Sequence, residues 1–122
     1  MSFDWLHYLD LAQDLFAQAA GSPYEDANLR SAISRAYYAT YHKARLSLHN
    51  KWGISVPADA SAHMAVRKEF KQKKQKQIAV TLDRMRIDRN KADYNDSVAK
   101  LATTAAENLK RANQVISDLS KL

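Results

Sequence analysis

Four helix-breaking residues constrain the fold of this chain more than any other feature. The sequence of 122 residues contains only two glycines and two prolines, at positions 21, 53, 23 and 57. The long stretches between and after them contain neither residue and are rich in Ala, Leu, Lys, Gln and Arg, which favour helix. The sequence therefore predicts an all-α fold, and a length of 122 residues fits one domain spanning 1–122.

Apolar residues recur at intervals of three and four, and this spacing predicts where the helices lie. We expect five helices: within 3–20, from 22 to 52, from 59 or 61 to 70, from 78 onward, and from 95 or 96 to the C-terminal end. Ser22, Pro23 and Glu25 match a capping box at the start of the second helix, and Gly53 is placed to close it. The polar segment 71–77 is expected to form an exposed turn or a loosely helical arm.

The second predicted helix has two distinct faces. Its core stripe, at helical spacing, consists of Leu29, Ile33, Ala36, Tyr37, Thr40, Ala44 and Leu48. A second stripe, again three and four residues apart, consists of Arg35, Tyr38, His42, Arg45 and His49. This stripe is either an exposed amphipathic face or a subunit interface, because Arg and Tyr are enriched in interface cores.

The positive charge of the chain is concentrated in one segment. Residues 1–60 contain five Lys or Arg and six Asp or Glu, whereas residues 61–122 contain fourteen and seven. Within the second half, the segment 67–91 has ten basic and three acidic residues. Such a basic strip either binds phosphate, with release of counterions from a nucleic acid, or is a solvated surface. The candidate nucleic-acid-binding residues are Lys71, Lys73, Lys74, Lys76, Arg84 and Lys91.

Several classes of site are disfavoured by the residue types present. The chain has no cysteine, which excludes disulfides and thiolate metal sites and agrees with a cytoplasmic location. His63 has no histidine or carboxylate neighbour at ligand spacing, so we expect no metal site. No glycine-rich phosphate loop is present, and we expect no cofactor. The chain shows neither a signal-peptide pattern nor an apolar run of membrane-spanning length, so no membrane association is expected.

Two segments together resemble a known family. The sequences SRAYYA at 34–39 and YHKA at 41–44, followed by a short helix ending at Phe70 and by RIDRNKADY at 86–94, are similar to the small prokaryotic HEPN (higher eukaryote and prokaryote nucleotide-binding) proteins with an Arg-x-x-Ala-Asp-Tyr signature. The resemblance implies an up-and-down bundle of four or five helices and a homodimer. It also implies a small nucleotidyltransferase as partner, in a toxin–antitoxin or defence context.

Catalytic HEPN proteins are metal-independent ribonucleases that use an Arg, a polar residue and a His. Arg89 and Asn90 match the first two, but Tyr94 holds the place of the histidine. Attack by a ribose 2′-hydroxyl requires an acid or base with a pKa near neutrality and a cation at the phosphate. The resemblance gives as catalytic candidates Arg86, Arg89, Asp93 and Tyr94, with His42 as an alternative imidazole. Asp93 equally fits a structural ion pair with one of the two arginines.

Three functions remain open from the sequence. The first is a HEPN-like homodimer that binds RNA, a nucleotide or a nucleotidyltransferase without cleaving RNA, and the absent histidine favours it. The second is an atypical ribonuclease that uses the catalytic candidates. The third is a structural or regulatory dimer whose interface is formed by Arg35, Tyr38, His42 and Arg45. With a nucleotidyltransferase partner, Tyr94 would become a candidate for nucleotidyl modification.

Overall fold

A computed structural model of the chain describes residues 2–122 as a bundle of five helices, and no strand occurs among these residues. The helices are α1 (Leu6–Ala19), α2 (Glu25–Trp52), α3 (Ala62–Gln72), α4 (Lys76–Tyr94) and α5 (Leu101–Ser120). The all-α prediction is confirmed.

Helix α2 is the central helix, and each of the other four packs against it. The seven residues predicted as its core stripe are all buried. With 28 residues it is about 42 Å long at 1.5 Å per residue. It ends as predicted at Gly53, whose backbone is left-handed (φ 67°) and whose N–H donates to the carbonyl oxygen of His49 (2.8 Å). The helix therefore presents one continuous surface to the rest of the bundle.

Two predicted helix starts are wrong. The capping box at Ser22 does not form: its hydroxyl oxygen accepts the N–H of Tyr24 (3.1 Å) in a local turn, and α2 begins only at Glu25 without a side-chain cap. Asn95 and Asp96 do not cap the last helix, because α5 begins at Leu101. At Ser22 a competing local turn replaces the cap, whereas the segment around Asn95 is held by a tertiary contact.

Arg30 of α2 explains the structure around Asn95. Its Nη1 donates to the carbonyl oxygens of Ala92 (2.9 Å) and Asn95 (2.6 Å), and its Nη2 donates to that of Asp96 (3.1 Å). These carbonyls belong to the end of α4 and the segment after it, where helical acceptors lack intrahelical donors. The guanidinium thus fixes the C-terminal end of α4 against α2 and orients the last turns of that helix.

Helices α3 and α4 form a hairpin that carries most of the basic strip. The turn between them comprises only residues 73–75 and is shorter than the predicted polar segment 71–77, because α3 runs to Gln72 and α4 starts at Lys76. Asp59 Oδ1 accepts the backbone N–H of Ser61 (2.8 Å) in the turn before α3. The lysines at 71–76 lie at the closed end of the hairpin, whereas Arg86 and Arg89 lie about 15 to 20 Å further along α4.

Candidate functional site

Arg89 lies between two tyrosines of α2. Its guanidinium carbon is 5.3 Å from the ring centre of Tyr37 and 5.3 Å from that of Tyr38, distances typical of cation–π contacts. Its Nη1 is 3.7 Å from Oδ2 of Asp93, which also accepts the hydroxyl of Ser34 at 3.4 Å. The side chain is only 12% exposed. Aromatic rings and one carboxylate therefore hold this cation in place.

Two further arginines share one carboxylate beside this cation. Nε of Arg67, on α3, is 3.4 Å from Oδ1 of Asp83, and Arg86 donates to the same oxygen from Nη2 (3.0 Å) and Nε (3.2 Å). Nη1 of Arg67 and Nε of Arg89 are buried and have no hydrogen-bond acceptor among residues 2–122. Buried N–H groups without an acceptor are rare in proteins, because each loses its bonds to water.

His63 connects the arginines to the tyrosines of α2. Its Nδ1 lies 2.5 Å from the hydroxyl oxygen of Tyr37, and its ring stacks on that of Tyr41 with 4.1 Å between ring centres. Arg67 follows four residues later, on the same side of α3. We call Tyr37, Tyr38, His63, Arg67, Arg86 and Arg89 the Arg–Tyr–His cluster.

The charges of the cluster affect two titratable groups in it. Burial lowers the pKa of His63 below its usual value, and three positive charges lower it further: those of Arg89, Arg67 and Arg86. The imidazole is therefore neutral at pH 7. Burial also raises the pKa of Tyr37 above its usual range, although the same three charges oppose this effect. The Tyr37 hydroxyl thus keeps its proton.

His42 lies next to the cluster but has other partners. Its ring stacks on Trp5 with 3.6 Å between ring centres, and its Nδ1 accepts a hydrogen bond from Nε of Arg45 (3.2 Å). Burial, the charge of Arg45 and, when it is protonated, the charge of His63 lower the pKa of His42 to about 4. This ring is neutral at pH 7 and is covered by the segment before α1.

The other predicted interface residues also make contacts within the chain. Arg35 lies over the ring of Tyr8 on α1, with 5.0 Å between the guanidinium carbon and the ring centre. Tyr38 contacts Arg89, as described above. The stripe Arg35–Arg45 is therefore divided between α1 with its preceding segment and the Arg–Tyr–His cluster.

The remaining predicted catalytic residues differ in their surroundings. Arg86 and Arg89 belong to the cluster, and Asp93 forms an ion pair with Arg89, one of the two arginines that the sequence offered. Tyr94 is 76% exposed at the end of α4. Its ring thus has few contacts within the chain.

The predicted nucleic-acid-binding residues lie at two places outside the cluster. Lys71, Lys73, Lys74 and Lys76 surround the hairpin turn, where Lys73 is 3.7 Å from Glu69 and 5.3 Å from the ring centre of Trp52. Arg84 and Lys91 line a cavity of about 310 Å³ on the α5 side of α4. Asp88 also lines this cavity and is 3.7 Å from Arg84. The basic strip therefore occupies two sides of α4.

Sequence reasoning missed His63 and Arg67 as site residues. From the sequence, His63 has only the choice between a metal ligand and no role, and Arg67 is only the first residue of the basic segment 67–91. Their spacing of four residues was the available signal, because it places both on one face of α3. Their nearness to Tyr37 depends on how α3 packs, which spacing alone does not give.

Within residues 2–122, no three His, Asp or Glu side chains come close enough to hold a metal ion. Over the same residues, none of the helices is both long and apolar enough to cross a membrane.

Comparisons of the chain with protein-family models, with curated proteins and with solved structures found no match.

Proposed function

We propose that this chain is a HEPN-like helical module that binds the phosphates of RNA or of a nucleotide through the Arg–Tyr–His cluster. The observation that carries the proposal is that three arginines from two helices meet around two carboxylates, with two guanidinium N–H groups that lack acceptors among residues 2–122. A phosphate offers several strong acceptor oxygens and a negative charge, and the three guanidinium cations have only two carboxylates among them.

The surroundings of the arginines support a phosphate ligand over a solvated surface. An exposed ion pair contributes little stability, whereas side chains held between rings are already ordered for binding. Arg67 and Arg89 are 14% and 12% exposed, so most of their ordering has occurred in the folded chain. The partly exposed Arg86 and His63 give a ligand access to the cluster. The lysines at 71–76 lie further along the same hairpin and extend the positive field.

RNA binding is measured with a short fluorescent single-stranded RNA by anisotropy at several salt concentrations. The variant Arg86→Gln removes a cluster cation that is 30% exposed, and it should weaken RNA binding about tenfold. The slope of log affinity against log salt concentration should become smaller in magnitude by about 0.7, the value for one lost phosphate contact on a single strand. The matched control is Arg84→Gln, which removes the same charge from the same helix on the α5 side. We expect the control to change affinity less than threefold.

The proposal fails if wild-type protein binds neither RNA nor mononucleotides at low salt. It also fails if the two glutamine variants weaken binding equally, because that result would assign binding to net charge alone. Charge reversal of Lys73, Lys74 and Lys76 tests the contribution of the hairpin turn. Here we expect a loss of affinity that disappears at high salt.

The assembly is part of the same proposal and is supported by the sequence resemblance. The chain would act in the cytoplasm as a homodimer with a nucleotidyltransferase partner, in a toxin–antitoxin or defence context. Sedimentation equilibrium tests the dimer directly, and a monomer at micromolar concentration would contradict it. Mass spectrometry after co-expression with such a partner tests nucleotidyl modification of Tyr94, whose ring is accessible.

A further inference from the structure

The hydrogen bond between Tyr37 and His63 determines which nitrogen of the imidazole carries the proton. Tyr37 is 1% exposed, and its hydroxyl proton needs an acceptor. Nδ1 of His63 is the hydrogen-bond partner of this hydroxyl in the structure. If Nδ1 carried the proton, the buried hydroxyl would have to leave its own hydrogen without an acceptor, which costs about 1 to 3 kcal/mol.

The neutral ring of His63 therefore carries its hydrogen on Nε2. That N–H makes no hydrogen bond within residues 2–122, and it is not among the buried atoms without a partner. The ring is half-buried, so Nε2 retains contact with solvent beside the cations of the cluster. A neutral N–H donor among arginines suits an anion, because it adds a hydrogen bond without adding charge repulsion.

We propose that His63 is a phosphate-binding residue: the Tyr37 hydroxyl fixes its imidazole as the Nε2–H tautomer, and Nε2–H donates to a phosphate oxygen attracted by the neighbouring arginines. This inference rests on the proposed function and assigns a specific donor within it. Tyr37 then acts as a positioning residue, since it reaches the ligand only through the imidazole.

The tautomer is measured first, in the free protein. Long-range ¹H–¹⁵N correlation spectra of the His63 ring at pH 7.5 should show Nε2 protonated and Nδ1 unprotonated. In the variant Tyr37→Phe, the constraint on Nδ1 is removed and both tautomers should be populated. A spectrum of the wild-type protein with the hydrogen on Nδ1 would overturn the inference, whether or not RNA binds.

Binding is measured next, with the same short RNA and separately with inorganic phosphate. His63→Ala should weaken RNA binding five- to tenfold, whereas His63→Gln, whose amide nitrogen lies near the position of Nε2, should stay within threefold of wild type. Met64→Ala is the control, because this neighbour on α3 is 66% exposed and carries no donor. Circular dichroism of each variant confirms that it is folded.

The outcomes separate the two proposals. Wild-type protein that binds neither RNA nor a mononucleotide contradicts the proposed function, whatever the spectra show. Wild-type protein that binds RNA as tightly as His63→Ala overturns the role of His63 and leaves the arginines as the site. A loss with His63→Ala for inorganic phosphate as well as RNA would assign the contact to the phosphate group itself, as proposed.

Discussion

Asp88 gives a sharp test of how the bundle holds a charged group in its interior. Its side chain is 6% exposed and faces α5, where its Oδ2 accepts a hydrogen bond from Nδ2 of the fully buried Asn108 (3.0 Å). The same oxygen is 3.5 Å from Arg111 and 3.7 Å from Arg84. We predict that Asp88→Ala destabilises the fold by about 3 kcal/mol.

The magnitude follows from the contacts of the carboxylate. A hydrogen bond to a charged group contributes about 1.5 to 3 kcal/mol, and its loss leaves one donor of Asn108 unpaired in the interior. The two ion pairs are partly solvated on the arginine side and add about 0.5 kcal/mol each at most. In Asp88→Asn, a neutral acceptor of the same shape remains, so we expect about half of the full loss.

Urea unfolding followed by circular dichroism measures this change in the free energy of unfolding. The comparison requires that the slope m, of unfolding free energy against urea concentration, is the same for all variants. The control is Glu107→Ala, which removes an exposed carboxylate 3.5 Å from the same Arg111 and should cost less than about 0.5 kcal/mol. If Asp88→Ala and Glu107→Ala destabilise equally, burial does not determine the energy of this carboxylate and the reasoning is refuted.

Three further predictions concern other parts of the molecule. Arg30→Met removes three charge-assisted hydrogen bonds to carbonyl oxygens in the last turn of α4 and the segment after it, and it should cost about 2 kcal/mol in urea unfolding, with faster amide exchange of Asn95. Unchanged exchange would contradict the role of Arg30. The pKa of His42 is about 4 in the folded chain and 6.5 in the unfolded chain, so the unfolded chain takes up a proton at His42 first as the pH falls. The free energy of unfolding should therefore decrease as the pH drops from about 6.5 to 4. His42→Gln should reduce this decrease by about 1 to 2 kcal/mol, a value lowered to account for solvent screening of the partly exposed ring. RNA incubated with the protein in chelator should remain intact, and 2′,3′-cyclic phosphate ends from wild type but not from Arg89→Ala would contradict this.

The helices could be predicted because their signals are local. Gly53 ends α2 through its own backbone, and the core stripe of α2 follows from spacing alone. The start of α5 could not be predicted in the same way. Residues 95 and 96 have the side chains of helix caps, yet their carbonyl oxygens bind Arg30, which lies more than sixty positions earlier. A local preference of about 1 kcal/mol is easily outweighed by such tertiary hydrogen bonds.

The candidate site was only partly predictable for a similar reason. Arg89 and Asp93 lie four residues apart on one helix, so their ion pair follows from sequence spacing. His63 and Tyr37 are separated by 26 positions and lie on different helices. Tyr37 was correctly predicted as a core residue, but a buried tyrosine also has a hydroxyl that requires a partner. The search for that partner, once the packing is known, leads to His63.

The hydrogen bonds of the two histidines near the cluster favour binding of RNA over its cleavage. Nδ1 of His63 accepts from Tyr37, and Nδ1 of His42 accepts from Arg45, so each neutral ring carries its hydrogen on Nε2. Removal of a proton from a ribose 2′-hydroxyl requires a base with a free lone pair. Both imidazoles use theirs within the protein, and Asp93 is held in an ion pair. These contacts support the proposal that the cluster binds a phosphodiester through its donors and positive charge without cleaving it.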